Sequence, residues 1–79
     1  MIDLNALRTN IKKAVQAKFK DGDKNELMAI KMFANKIGVT PALASYWLNQ
    51  MPPQKLSVIA KICDVCEIKL ADLIIASEK

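Results

Sequence analysis

The sequence predicts an all-α fold, a compact bundle of five helices, and three observations lead to this prediction. Apolar residues recur at spacings of three and four along several segments, which is the pattern of helices with one buried face. No segment alternates apolar and polar residues as a half-buried strand does. Only four residues are aromatic although 52% of the 79 are hydrophobic, so the core is mainly aliphatic, a mix that favours helices. A chain of this length buries one core, and we expect a single domain, 1–79.

The first helix is predicted over residues 3–19. Its apolar positions follow one helical face: Leu4, Leu7, Ile11, Ala14, Val15 and Phe19. The other face carries the basic residues Arg8, Lys12, Lys13 and Lys18. Turn-forming residues then interrupt the pattern at Asp21, Gly22 and Asp23, so the helix is expected to end before them.

The second helix is predicted to start after Asp23 and to run to about Ile37. Asp23 is a suitable N-cap, and Glu26, three residues later, would complete a capping box. Gly38 follows the last apolar position, where a helix C-terminus favours a residue that tolerates positive φ. The apolar stripe of this helix consists of Ala29, Phe33, Ala34 and Ile37.

Three further helices complete the predicted bundle. Thr40 is a good N-cap and Pro41 suits the first helical position, so the third helix is predicted over 41–49. After a turn, Pro53 is expected to open the fourth helix, and the fifth is predicted over 68–75. The apolar stripe of the fourth helix is Leu56, Ile59, Ala60 and Cys63.

The spacing of small and apolar residues over about 27–49 predicts a helix-turn-helix. Two helices can cross steeply over a short turn only where the residue at the crossing is small and the turn tolerates an unusual backbone angle. Ala34 meets the first requirement and Gly38 the second, while Val39 fills the angle between the helices. The inward face of the third helix is predicted to be Ala44, Trp47 and Leu48.

Two blocks of the sequence resemble one known family. Residues 33–40, Phe-Ala-Asn-Lys-Ile-Gly-Val-Thr, look like the second helix and turn of the phage Cro and repressor proteins and their bacterial Xre-type relatives. Residues 62–74 look like the closing helix pair of that family. The resemblance implies a lambda-repressor-like DNA-binding domain in a cytoplasmic transcriptional regulator of a bacterium or phage. It also implies that the third helix enters the major groove of double-stranded DNA. Because few phosphate contacts per subunit would give weak binding, we expect a homodimer on a palindromic operator.

The resemblance also implies which side chains contact DNA. The base-reading residues would be Thr40, Pro41, Ala42, Ser45, Tyr46 and Asn49. Since the third helix carries no charge, phosphate binding would fall to the flanking residues Lys31, Lys36 and Lys55. The sequence departs from the family in having no charged residue from Ile37 to Gln54, and Glu67 stands where the family favours glycine. Tyr46 has a second interpretation, as a half-buried neighbour of Trp47, and the lysines of the first helix fit either DNA contact or a solvated face.

Composition excludes several other classes of protein. The chain has no histidine and two cysteines, Cys63 and Cys66, whose helical spacing indicates core packing more than half of a zinc site. No pattern of a catalytic or cofactor site is present, so we expect a protein that is not an enzyme and needs no metal or cofactor. No apolar run is long enough to span a membrane, and a cytosolic location is expected. The net charge of +4 is compatible with a polyanionic partner.

The sequence is also compatible with a second class of function. The uncharged surface around Pro41, Ala42, Leu43, Tyr46 and Met51 would also suit a protein partner, as in a protein-interaction module or the antitoxin of a toxin–antitoxin pair. Salt dependence distinguishes the two classes, because DNA binding weakens steeply with salt and apolar protein contact does not. For the dimer, the apolar residues near the C-terminus are the expected interface, with the first helix as the alternative: Leu70, Leu73, Ile74 and Ile75.

Overall fold

A computed structural model describes residues 2–19 and 25–78 and contains five α-helices in these ranges. The helices are α1 (Leu4–Phe19), α2 (Glu26–Ile37), α3 (Pro41–Asn49), α4 (Leu56–Cys66) and α5 (Leu70–Ala76). The only extended pairing in the described ranges is an isolated antiparallel bridge between Ile2 and Glu78. The predicted all-α fold with five helices is therefore confirmed.

The start of α2 differs from the sequence prediction. The N-cap is Asn25, whose side chain accepts a hydrogen bond of 2.8 Å from the backbone N–H of Met28. The prediction that Asp23 caps this helix is wrong, and Asp23 itself lies outside the described residues, as does the predicted turn at 21–23. Asparagine caps as well as aspartate, and Asn25 directly precedes the first helical residue. Glu26 is thus too close to the cap to form a capping box.

The starts of α4 and α5 also lie later than predicted. Pro53 does not open α4, because Pro52 and Pro53 are both buried in an extended connection and the helix begins at Leu56. A residue that precedes proline is held away from helical angles, which keeps Pro52 extended. α5 begins at Leu70 because Ile68 still belongs to the end of α4, where its N–H donates to the carbonyl of Cys63 over 2.9 Å.

The turn between α2 and α3 is formed as predicted. Gly38 adopts the left-handed conformation, with φ of 87°, and its N–H donates to the Ala34 carbonyl over 2.8 Å. The Val39 N–H donates to the same carbonyl over 3.0 Å. Thr40 caps α3, its Oγ1 accepting from the Leu43 N–H over 3.2 Å, and Pro41 occupies the first turn. These contacts fix the direction in which α3 leaves α2.

The core is centred on α1, which packs against all four other helices. The largest fully buried apolar side chains are Phe33, Ile11, Ile62 and Val15. The rings of Phe19 and Phe33 are tilted by 55° with centroids 6.2 Å apart, a favourable aromatic contact. Cys63 and Cys66 are buried as free thiols, in agreement with the core-packing interpretation.

The two ends of the described chain are joined by Ser77, which is completely buried. Its hydroxyl donates to the Leu73 carbonyl over 2.7 Å and accepts from the Asn10 side chain over 3.1 Å. Its own carbonyl accepts from the Asp3 N–H over 2.8 Å. These bonds hold the C-terminal end of α5 against α1.

The Gly38→Ala variant is expected to lose about 1 kcal/mol of stability, because alanine is strained at a φ of 87°. No atom lies within 4 Å of the position that the added Cβ would take, so the loss is conformational and not a clash. Gly38→Asn should lose less, since asparagine tolerates the left-handed region better. Urea unfolding of the three proteins measures the difference. Equal stability of Gly38→Ala and the wild type would contradict this explanation of the turn.

Stability should fall between pH 9 and 11 because of Cys66. Burial raises the pKa of this thiol from 9.0 to about 11, with the neighbouring Cys63 adding to the effect. The folded protein therefore holds the thiol proton where the unfolded chain has released it, so stability is full below pH 9 and declines up to about pH 11. Two pKa units correspond to about 2–3 kcal/mol. Urea unfolding at several pH values measures this loss of stability. The loss should be smaller in Cys66→Ala than in the wild type. Identical losses in the two proteins would contradict the role of Cys66.

Candidate nucleic-acid interface

α3 lies at the surface with one face inward and one face in solvent. Ala44 and Leu48 are buried, as predicted, and Trp47 packs on the core while remaining half-buried. The first turn of the helix, with its N-cap, is exposed at every residue: Thr40, Pro41, Ala42 and Leu43. The helix is thus anchored at its middle and end and offers its N-terminal turn to a partner.

The predicted base-reading residues fall on this solvent face. Thr40, Pro41, Ala42, Tyr46 and Asn49 are exposed, and Ser45 is half-buried. Tyr46 is 49% exposed, so its ring is not enclosed beside Trp47. Its hydroxyl has no hydrogen-bond partner among the residues that the structure describes.

Asn49 differs from the other predicted readers, because its side chain is bonded within the domain. Its amide nitrogen donates to the Ser45 carbonyl over 3.1 Å and to the Ser45 hydroxyl over 3.3 Å. Its amide oxygen accepts from the Lys12 ammonium over 2.9 Å. Asn49 therefore joins the end of α3 to α1, a contact that spans 37 positions of the sequence.

Arg8 and Lys12 of α1 hold the C-terminal end of α3 and the start of α2. The Arg8 guanidinium donates to the Asn49 carbonyl over 3.0 Å, supplying a cation where the helix leaves carbonyl groups unbonded. Lys12 also forms an ion pair of 3.2 Å with Glu26, which accepts in turn from Gln16 over 3.2 Å. Sequence reasoning missed this positioning role, and its only sequence signal is that Arg8 and Lys12 lie one turn apart on one face.

The predicted phosphate-binding residues Lys31, Lys36 and Lys55 are all exposed. None of them forms an ion pair within residues 2–19 and 25–78. Lys31 and Lys36 lie on α2, and Lys55 is the N-cap residue of α4 instead of lying inside that helix. Their ammonium groups are thus available to an anionic ligand beside α3.

A further electrostatic feature was missed in the sequence reasoning. No aspartate or glutamate occurs between Glu26 and Asp64, a segment that spans α2, α3 and most of α4. The same segment contains four lysines, Lys31, Lys36, Lys55 and Lys61. A simple scan for acidic residues would have revealed it. The helix-turn-helix therefore lies in a stretch of uniformly positive charge, which suits a polyanion.

The surface around α3 is open. The described part of the chain contains no pocket, so the site suits a large ligand that meets a convex helix better than a small molecule. In the same ranges no three side chains of metal-binding type come together. None of the described helices has the length and apolar character needed to cross a membrane.

Comparisons with known proteins agree with this geometry. A family model described as a Cro/C1-type HTH DNA-binding domain matches residues 23–79, which include α2 to α5. Among solved structures, that of the clp gene regulator ClgR from C. glutamicum matches with a TM-score of 0.61 and 18% sequence identity. The match covers 90% of this chain and 86% of that chain, and at this identity it shows the fold alone. No curated protein matches the sequence.

Proposed function

The chain belongs to the Cro/C1-type helix-turn-helix DNA-binding domain family, and from this premise we propose that it is a sequence-specific transcriptional regulator. In this proposal α3 enters the major groove of double-stranded DNA, and the protein acts as a repressor in a bacterial or phage-infected cell, in the cytoplasm. One observation carries the proposal: the exposed N-terminal turn of α3 projects from a helix-turn-helix whose surrounding segment has lysines and no acidic residue. That arrangement suits a helix inserted between two rows of phosphates.

Contacts with DNA divide into two groups in this proposal. Thr40, Pro41, Ala42, Ser45 and Tyr46 face base edges, because they lie on the solvent side of α3. The phosphate contacts are assigned to Lys31, Lys36 and Lys55, which flank that helix and have no partner of their own within the described ranges.

We further propose that the regulator binds as a homodimer. Three lysine contacts give one subunit weak affinity, whereas two subunits on a palindromic operator place two copies of α3 about 34 Å apart, one turn of DNA. Of the residues expected at the interface, Leu73 is buried in the core, and Ile75 is 67% exposed. Ile75 lies near the joined ends, where Ile2 is also exposed. Ile75→Glu is the variant that tests this interface by light scattering.

The experiment that tests the proposal is a titration of the protein against the DNA upstream of its own gene and against an unrelated duplex of equal length. Tighter binding to the upstream duplex is expected. Six phosphate contacts in a dimer would weaken binding about 2000-fold between about 50 and 200 mM salt, against about 40-fold for three contacts in a monomer. Equal affinity for both duplexes, or affinity independent of salt, would contradict the proposal.

A protein partner is the second candidate function, as in an antitoxin. The observation that favours it is exposed apolar surface on and after α3, where Leu43 and Met51 are each 39% exposed. This candidate predicts weak binding to both duplexes and a complex with a partner protein that persists at high salt. The segment without acidic residues, which contains four lysines, favours the DNA proposal, since an apolar protein interface does not need this charge.

A further inference from the structure

Resting on the proposed function, we propose that α3 recognises its operator mainly by apolar contact with thymine methyl groups, so that the protein selects thymine-rich half-sites. The first reason is the charge of the reading surface. No arginine, lysine, aspartate or glutamate occurs from Ile37 to Gln54. The two-pronged contact of arginine or lysine with guanine is therefore not available to α3, nor is the contact of a carboxylate with cytosine.

The second reason is that the Asn49 amide, and one acceptor position on each of the Thr40 and Ser45 hydroxyls, are already engaged. The Thr40 hydroxyl oxygen caps the helix by accepting from the Leu43 N–H. The Asn49 amide is held by Ser45 and by Lys12, so it would have to break these bonds to pair with adenine. Ser45 is half-buried and accepts from Asn49. A helix that read bases chiefly by hydrogen bonds would keep such groups free.

The third reason is what the exposed turn does present. Pro41, Ala42 and Leu43 are consecutive and exposed, and their side chains consist of carbon and hydrogen alone. Tyr46 follows one turn after Ala42, with an exposed ring and a hydroxyl that has no partner within residues 2–19 and 25–78. Thymine is the base that offers an apolar group, the C5-methyl, in the major groove. Burial of one methyl against such a surface is worth about fourfold in affinity.

The cationic surroundings of this apolar turn indicate which ligand it binds. Lysines flank α3 and no acidic residue lies between Glu26 and Asp64, so phosphates are attracted to the region where the apolar turn projects. An apolar surface set among cations fits a ligand that carries methyl groups between rows of phosphates. The major groove of thymine-rich DNA has this chemistry.

The test replaces thymine with deoxyuridine, which keeps base pairing and removes only the methyl group. A duplex is first selected by the protein from a library with a random centre and is then synthesised in both forms. We expect the selected site to contain thymines in each half. Removal of two contacted methyls should weaken binding about tenfold or more.

The outcomes separate this inference from the function on which it rests. Equal affinity for the thymine and deoxyuridine duplexes, or a selected site without thymine, would overturn methyl recognition and leave sequence-specific DNA binding standing. Failure of the library to yield any preferred sequence would overturn both.

A variant of the protein tests the same contact by removing a methyl group from the protein instead of from the DNA. Ala42→Gly removes one methyl group from the exposed first turn of α3. The ratio of affinities for the thymine and deoxyuridine duplexes should therefore move closer to one. A purely structural effect would weaken binding to both duplexes equally and leave the ratio unchanged, which would count against the inference. Ala17→Gly, at an exposed position of α1, is the matched control and should leave the ratio as in the wild type.

Discussion

Phe33→Ala is expected to lower the free energy of unfolding by about 3–5 kcal/mol. Phe33 has no exposed surface, lies in the middle of α2 and contacts Phe19 of α1, so alanine would leave a cavity between the two helices. A domain of 79 residues has a total stability of about 4–12 kcal/mol. The variant should therefore be close to unfolding at room temperature.

Urea unfolding followed by circular dichroism measures this effect. Phe33→Leu keeps most of the buried volume and should lose much less stability than Phe33→Ala. Tyr46→Ala is the matched aromatic control, because Tyr46 is 49% exposed and its removal leaves no cavity. A loss below about 1 kcal/mol for Phe33→Ala would contradict the central position of this ring in the core.

Ala42→Glu is expected to weaken DNA binding about 100-fold while the protein stays folded. Ala42 lies in the exposed first turn of α3, so a carboxylate there would meet the phosphates on either side of the groove. Bringing like charges together at an interface makes the binding free energy less favourable by several kcal/mol. Each 1.4 kcal/mol corresponds to a factor of about ten in affinity. Stability should be kept or slightly raised, since an acidic residue near a helix N-terminus is favourable.

The control for this variant is Ala17→Glu, which makes the same change of charge elsewhere. Ala17 is exposed on α1 and lies about half a turn around that helix from Arg8, the residue that contacts α3. The affinity of Ala17→Glu for DNA should fall much less than that of Ala42→Glu. Fluorescence anisotropy with a labelled duplex at constant salt measures both variants. Equal losses would mean that overall charge, and not the surface of α3, governs binding.

The sequence was sufficient to predict the helix-turn-helix because the signals that form it are local. Gly38 ends α2, Thr40 caps α3 and Pro41 fits the first turn, and each acts within a few residues of its position. The apolar stripe of α1 was equally readable, since helical spacing alone identifies Leu7, Ile11 and Val15 as buried.

Contacts between distant segments explain the errors. Asp23 and Asn25 are both good caps, and the local pattern does not reveal that Glu26 pairs with Lys12 of α1. The burial of Pro52 and Pro53, which delays α4, is a tertiary effect. The assignment of Asn49 to base reading comes from the family resemblance and stays a prediction, and its bonds to α1 are tertiary contacts that the resemblance does not reveal.

Glu67 shows how a departure from a family pattern is accommodated. It adopts the left-handed conformation with φ of 59°, where the family favours glycine, and a non-glycine residue is strained there. Its carboxylate pairs with the Lys18 ammonium over 2.7 Å, which lowers the pKa of Glu67 and partly offsets the strain. The fold therefore tolerates glutamate at the end of α4, as Glu67 occupies the C-cap position without disrupting the helix.

The most direct test of the central claim, that the exposed turn of α3 binds DNA, is an NMR titration of the ¹⁵N-labelled protein with the selected duplex. The largest amide shift changes are expected at Thr40, Ala42, Leu43 and Tyr46. Smaller changes are expected at Lys31 and Lys36 of α2, the proposed phosphate contacts. α5 should be little affected beyond any dimer contact. Shift changes confined to α1 or α5, with those of α3 unmoved, would contradict the account.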